Sequence, residues 1–155
     1  MAIEHIAVIG AGTMGNGITQ VCAVSGYKVT MIDVMPDALK KGLGTIEKSL
    51  SKLTEKNKIT AQQKDSALAA ITTSGELSAA AQADFIIEAA TENPDLKLKI
   101  FRDLDSLAKP DVILASNTSS ISLTKIGGVT KRPDKVIGMH FMNPVPVMKL
   151  VEGIR

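Results

Sequence analysis

Residues 6–33 read IAVIGAGTMGNGITQVCAVSGYKVTMID, and this stretch decides the fold. The apolar run at its start predicts a first strand over Ile3 to Ile9, buried on both faces of a sheet. A glycine cluster and apolar residues at helical spacing follow, and Gly26 lies where a left-handed cap ends a helix. Lys28 to Ile32 predicts a second strand that ends at Asp33. Because such crossovers are nearly always right-handed, the two strands are expected to be parallel neighbours.

The rest of the chain continues the alternation of strands and helices. Pro36 suits the first turn of a helix, and Thr60 suits an N-cap. The patterns predict a helical pair over 36–53 and 60–70, a short strand over 71–73, a short helix over 77–82, a strand over 84–88, a helix over 93–107, a strand over 112–116, a short helix over 121–126, a strand over 135–140 and an extended run over 147–151. The predicted fold class is α/β, a Rossmann-type doubly wound, mainly parallel sheet with a helical pair inserted after the second strand.

Composition fits one compact domain over residues 1–155. The hydrophobic fraction is 45%, and only 3% of residues are aromatic, so the core must rest on aliphatic side chains, as in parallel sheets. Eighteen Lys and Arg against sixteen Asp and Glu give a net charge of +2, with the charges interspersed. Because nucleic-acid binding needs a concentrated basic face, no nucleic-acid partner is expected.

The single cysteine and the start of the chain bear on location. Cys22 cannot form an internal disulfide, and at an apolar helix position it is interpreted as a small hydrophobic residue in a reducing compartment. The first predicted strand follows Met1 too closely for a signal peptide, and no apolar run reaches the roughly 20 residues that span a bilayer. We therefore expect a cytoplasmic protein without a membrane partner.

A glycine motif joins the first strand to the first helix. Gly10, Gly12 and Gly15 form G-x-G-x-x-G, with Thr13 and Met14 inside the motif. Gly10 would permit the tight turn, Gly12 would let a pyrophosphate approach the backbone, and Gly15 would allow close helix packing. The helix dipole and its free N–H groups favour phosphates. The alternative is a strand-to-helix turn without a ligand, but the position after a buried strand favours dinucleotide binding.

The acidic residue after the second strand bears on the choice of dinucleotide. Asp33 can accept hydrogen bonds from the adenosine ribose hydroxyls and would repel a 2′-phosphate, and Val34 rather than an arginine follows it. These residues predict NAD rather than NADP as the cofactor. Lys40 and Lys41 on the next helix leave open a weaker preference. No metal site is predicted.

A second polar group follows the later strands. Ser116 to Ser120 lies past a predicted strand, at the edge where parallel sheets bind ligands. His140 ends another strand and suits the role of a base that takes a hydroxyl proton, with Glu152 as the carboxylate that orients it. The turn over 143–146 would bring these two residues together. The alternative is a hydrogen-bonded structural histidine and a solvated glutamate.

These motifs resemble those of one family along essentially the entire chain. The glycine motif, SNTSS over 116–120 and above all HFMNPVPVMKLVE over 140–152 are similar to the 3-hydroxyacyl-CoA dehydrogenases, nearest to the bacterial 3-hydroxybutyryl-CoA dehydrogenases. The resemblance implies His140 as general base in oxidation and general acid in reduction, with Glu152 as its partner. It implies that Ser119 binds the substrate oxygen, that Asn117 supports this pocket, and that both residues border cofactor and substrate.

The resemblance also implies further binding residues. On the nicotinamide side of NAD it implies Glu92, Lys97 and Asn143, and for coenzyme A it implies Ser49, Lys52 and Lys56. Taken without the resemblance, the lysines of the helical pair could be a solvated face, and Glu92 with Lys97 a surface pair.

The expected activity is NAD-dependent interconversion of (3S)-3-hydroxyacyl-CoA and 3-oxoacyl-CoA, with 3-hydroxybutyryl-CoA as the expected substrate. The resemblance also implies a second, all-helical domain that completes the substrate cleft and forms a homodimer, and this domain is expected to be absent from residues 1–155. One alternative is therefore an NAD-binding module with little or no turnover. Another is a dehydrogenase of free 3-hydroxy acids, but such enzymes typically use a catalytic lysine, which the closing motif argues against.

Overall fold

The computed structural model describes residues 2–91, 93–117, 123–141 and 151–154; for His140 and residues 151–154 it describes the backbone only. In chain order the elements are β1 (His5–Ile9), α1 (Thr13–Val24), β2 (Lys28–Ile32), α2 (Pro36–Glu55), α3 (Ala61–Ala70), β3 (Ile71–Ser74), β4 (Phe85–Glu88), α4 (Pro94–Leu107), β5 (Ile113–Ser116), α5 (Leu123–Gly127), β6 (Val136–Phe141) and β7 (Val151–Ile154). Short 3-10 turns span Leu77–Gln82 and Pro133–Lys135. The sequence pattern does not predict the second of these turns.

The strands form one sheet in the order β3-β2-β1-β4-β5-β6-β7. The first six strands are parallel, and β7 pairs with β6 in the antiparallel sense. The order 3-2-1-4-5-6 is that of doubly wound dinucleotide-binding sheets, whose strand order reverses between β1 and β4. The predicted fold class is thus confirmed, including the helical pair α2 and α3 between β2 and β3.

The central strand β1 is buried on both faces, as its apolar run predicts. Ile6 and Val8 pack in the core cluster that includes residues of α1 and α2. Ala7 and Ile9 pack on the opposite face, in the cluster that includes residues of α4 and α5. Because successive strand residues point to opposite faces, an uninterrupted apolar run satisfies both cores at once.

Two helix boundaries follow the capping chemistry of the sequence. Gly26 has φ +101° after α1 and donates to Ala23 O, which places it in the left-handed cap predicted from the sequence. Before α3, the Thr60 side chain accepts from Gln63 N at 3.0 Å, while Gln63 Oε1 accepts from Thr60 N at 2.8 Å. This reciprocal capping box fixes the start of α3.

Strands β3 to β6 each differ from the prediction by one residue at one or both ends, and β1 and β7 differ by more. β1 begins at His5 rather than Ile3, because β2 begins at Lys28 and its ladder with β1 starts at the His5–Lys28 pair. Ile3 is exposed. The last strand begins at Val151, the final residue of the extended run predicted over 147–151, and residues 147–150 lie outside the described part of the chain.

A buried arginine closes the carboxyl end of α4. The Arg132 guanidinium donates from Nε to Asp105 Oδ1 at 2.8 Å and from Nη1 to the carbonyls of Lys109 and Val112 at 2.6 and 3.0 Å. It also donates from Nη2 to the backbone carbonyl of Asp105 at 3.0 Å. These contacts tie the segment before β6 to the end of α4. Within the described residues, no helix combines the length and apolarity needed to cross a membrane.

Candidate dinucleotide-binding site

Two of the three motif glycines are required by the packing of the protein itself. Gly10 has φ +112°, and a Cβ there would lie 2.7 Å from Ala89 O. A Cβ on Gly15 would overlap the carbonyl oxygen of Gly10. The Gly10 N–H donates to Ile32 O at 2.7 Å, which joins the turn to the end of β2. The tight turn and the close helix approach predicted from the motif are therefore present.

Gly12 differs from Gly10 and Gly15, because no atom of the described residues, apart from Gly12 and its chain neighbours, lies within 4 Å of a Cβ built on it. It is exposed and is the N-cap of α1, with an extended backbone and no side-chain cap. The first N–H groups of an α-helix lack intrahelical partners and favour anions. This open, Cβ-free approach to the helix N-terminus fits a dinucleotide pyrophosphate.

Two hollows flank this turn. The first has a volume of about 330 Å³ and is lined by Gly12, Thr13, Met14, Ala89, Ala90, Thr91 and Asn117. The second, of about 200 Å³, is lined by Ala11, Gly12, Thr13, Asn16, Ala38, Lys41, Gly42 and Thr45. The first hollow lies where the strand order reverses, the crevice in which doubly wound sheets bind ligands.

Asp33, the residue predicted to bind the adenosine ribose, holds the glycine turn in place. Its Oδ2 accepts from Ala11 N at 3.0 Å, and its Oδ1 accepts from Met35 N at 2.9 Å. A carboxylate has about four acceptor positions, so two remain for ribose hydroxyls. Lys41 lines the second hollow beside the glycine turn, whereas Lys40 does not line it.

Asn117 connects the first hollow to strand β6. Its backbone N–H donates to Glu88 O at 2.8 Å, and its side-chain Oδ1 accepts from Phe141 N at 3.1 Å. Phe141 directly follows His140 in the chain. Asn117 therefore fixes the end of the strand that carries the predicted base.

The β6–β7 ladder brings the two predicted acid–base positions together. His140 and Glu152 are Cα partners in this antiparallel pair, twelve residues apart in sequence. Residues directly opposite each other in such a ladder occupy the same face of the sheet. The predicted proximity of these two backbone positions is present. The predicted residues Ser119 and Asn143, and the turn over 143–146, lie outside the described residues.

A buried charged cluster lies beneath the first hollow. Lys97 Nζ lies 2.9 Å from Glu88 Oε1, and both side chains are fully buried. The interpretation of Lys97 as one half of a surface pair with Glu92 is wrong, because Lys97 is inaccessible and pairs with Glu88; Glu92 itself lies outside the described residues. Sequence reasoning gave Glu88 no role in the site, and it placed Ser116 in the polar group at the ligand edge without a role of its own. The available signal was that both end buried apolar strands at the ligand edge.

The residues predicted to meet coenzyme A lie along α2. Ser49, Lys52 and Lys56 follow i, i+3, i+7 spacing, which places them on one stripe of a helix. Ser49 Oγ accepts from Gln20 Nε2 of α1 at 2.9 Å, so this end of the stripe adjoins α1. Lys52 is exposed on α2, and Lys56 is exposed at its C-cap.

The sheet order, the glycine turn with its open Gly12 and the carboxylate at the end of β2 define a dinucleotide-binding domain. Residues 5–155 match the family described as "3-hydroxyacyl-CoA dehydrogenase, NAD binding domain". The chain belongs to this family. The family description confirms the resemblance found in the sequence and the prediction of NAD.

Similar proteins carry related names. The chain is 50% identical over 155 residues to a "Probable 3-hydroxybutyryl-CoA dehydrogenase" of Bacillus subtilis, matching 100% of this chain and 54% of the relative. The crystal structure of (S)-3-hydroxybutyryl-CoA dehydrogenase PaaH1 from Ralstonia eutropha is 52% identical with a TM-score of 0.95, covering 98% of this chain and 54% of that chain. A 3-hydroxyadipyl-CoA dehydrogenase of Escherichia coli is 40% identical over 152 residues, 98% of this chain and 32% of the relative. The chain thus spans about half the length of the first two.

Proposed function

We propose that this chain is the cofactor-binding part of an NAD-dependent dehydrogenase that interconverts (3S)-3-hydroxyacyl-CoA and 3-oxoacyl-CoA, with 3-hydroxybutyryl-CoA as the favoured substrate. The observation that carries the proposal is the pairing of His140 with Glu152 in the β6–β7 ladder of a family member with an NAD-binding fold. The names of the relatives support the substrate class.

His140 acts as the base in the proposed oxidation. It takes the proton of the 3-hydroxyl group as the C3 hydride leaves, so that the C–O single bond becomes the carbonyl; in reduction it returns the proton. NAD, when bound, supplies the hydride acceptor. Glu152 holds the imidazole in the required tautomer and stabilises its charged form. Ser119 donates to the substrate oxygen, and Asn117 maintains the pocket wall.

The remaining predicted residues bind successive parts of NAD or coenzyme A. Gly12 and the first turn of α1 hold the pyrophosphate, and Asp33 accepts from the adenosine ribose. Lys97, Glu92 and Asn143 serve the nicotinamide side. Lys97 is fully buried and pairs with Glu88 at 2.9 Å, so it serves this side through that ion pair rather than by touching NAD. Coenzyme A lies along Ser49, Lys52 and Lys56, whose ammonium groups suit its phosphates.

The test is reduction of acetoacetyl-CoA by NADH, followed through NADH absorbance. We expect His140→Gln to lower kcat by at least about 100-fold, the range of general acid–base catalysis, with NADH affinity unchanged. The matched control is His5→Gln, because His5 lies at the amino end of β1, away from the ligand edge. Equal turnover in wild type and His140→Gln would refute the role of His140.

A second candidate function is an NAD-binding module without appreciable turnover. It is favoured by the coverage of about half of the relatives' length. Calorimetric NAD binding without thioester-dependent NADH oxidation would favour this candidate. Under the leading proposal we place the protein in the cytoplasm, in keeping with its single buried thiol, and expect the family's helical domain to supply the homodimer contacts.

A further inference from the structure

We propose that Glu88 is a positioning residue for the cofactor loop, residues 89–91 after β4, and for strand β6, which carries the proposed base. It holds the two segments in one fixed arrangement. The inference rests on the proposed function, since it assigns a role within the same site. Glu88 ends β4 at the ligand edge and is fully buried.

The Glu88 carboxylate has three hydrogen-bond donors and one ammonium group around it. Its Oε2 accepts from the backbone N–H groups of Ala90 at 2.7 Å and Thr91 at 3.4 Å. Its Oε1 accepts from Ser116 Oγ at 2.9 Å and lies 2.9 Å from Lys97 Nζ. A carboxylate oxygen accepts hydrogen bonds, so the side chain suits these three donors together with the adjacent Lys97 ammonium. An amide of the same shape would present a donor to at least one of them.

These contacts reach both walls of the first hollow. Ala90 and Thr91 line it directly, on the side of β4. Ser116 precedes Asn117, which lines the other side and accepts from Phe141 N. Glu88 and Ser116 are also Cα partners in the parallel ladder between β4 and β5. A displacement of the carboxylate therefore shifts the cofactor loop and the support of β6 together.

Burial alone does not account for an ion pair at this place. Breaking a buried pair is costly, but well-packed apolar residues are often equally stable or more stable than the pair. The molecule contains a second buried pair, Arg132 with Asp105, which is remote from the ligand edge and closes α4. That pair provides a matched comparison between a structural and a positioning role.

The experiment compares the NADH affinity of the Glu88→Gln and Asp105→Asn variants of residues 1–155. The Kd is measured by titration of NADH fluorescence, well below the melting temperature of each variant. Both substitutions break a buried ion pair, so we expect both to lower the melting temperature. We expect Glu88→Gln to raise the Kd for NADH at least tenfold and Asp105→Asn to change it less than twofold. Ser116→Ala, which keeps the charges, is expected to raise the Kd at least threefold.

Unchanged NADH affinity in folded Glu88→Gln would overturn the inference. If Glu88→Gln does not fold, Ser116→Ala decides: a wild-type Kd overturns the inference, and a raised Kd supports it. A wild-type chain that does not bind NADH would overturn the proposed function and this inference with it. Normal wild-type binding with unaffected variants would overturn the inference alone.

Discussion

Gly12 offers a substitution that separates ligand binding from folding. Gly12→Ala places a methyl group at a point that has no atom within 4 Å in the described part of the chain, apart from Gly12 and its chain neighbours. Alanine is less favourable than glycine at an N-cap by up to about 1 kcal/mol of folding free energy. Alanine also lowers the conformational entropy of the unfolded chain, which stabilises the folded state by about 0.4–1 kcal/mol. We therefore expect the free energy of unfolding to change by less than about 1 kcal/mol, or about 3 °C in Tm for a domain of this size.

The same methyl group should weaken cofactor binding, because it occupies the approach of the pyrophosphate to the first turn of α1. Loss of one hydrogen bond to a charged group costs about 1.5–3 kcal/mol, which corresponds to a rise in the Kd for NADH of roughly 10- to 150-fold. NADH fluorescence titration and thermal unfolding, performed on the same preparation, measure the two quantities.

Gly15→Ala is the matched control within the motif. Its Cβ would overlap Gly10 O, so the helix must move away from the turn. Overpacking of this kind costs about 1–3 kcal/mol or more, and we expect a clear fall in Tm together with weaker binding. Wild-type NADH affinity in Gly12→Ala would refute the proposed pyrophosphate position, and wild-type stability in Gly15→Ala would refute the packing argument.

Three further predictions concern stability and reactivity. Arg132→Lys removes the guanidinium that joins Asp105 to the end of α4, and urea unfolding should show a loss of about 3 kcal/mol; a change below 0.5 kcal/mol, the usual effect of a surface substitution, would contradict this role. Burial, aided by the charge of Lys28, lowers the pKa of His5 below its usual 6.5. Because the folded protein then binds this proton less readily than the unfolded chain does, the free energy of unfolding should fall as the pH drops below 6.5. Urea unfolding at several pH values should show a smaller fall for His5→Gln. Burial raises the pKa of the Cys22 thiol to about 11, so a thiol reagent at pH 8 should react only after denaturation, and rapid reaction of the native protein would disprove its burial.

The local parts of the structure followed from local sequence. β2 spans Lys28–Ile32 as predicted, and Gly26 caps α1 as its position indicated. Such features depend on the chemistry of a few adjacent residues, namely hydrophobic periodicity and permitted backbone angles. The start of β1 was misplaced by two residues, because it depends on where the partner strand begins.

The candidate site also has parts that the sequence predicts and parts that only the tertiary structure shows. The glycine turn and Asp33 were predictable because both belong to one strand–helix–strand unit. The hydrogen bond from Ala11 to Asp33 and the burial of Lys97 against Glu88 were not, because they depend on strand register and on how α4 packs.

By itself, the sequence determined the doubly wound fold, the glycine turn and the family, since each is encoded by residue types at fixed short spacing. Only the tertiary structure decided that Gly12 alone among the motif glycines has free space over its Cα, and that Glu88 joins the loop after β4 to Ser116 on β5. These facts depend on distances between elements far apart in the chain. Such distances are set by the packing of the whole sheet and its helices, which no short segment specifies.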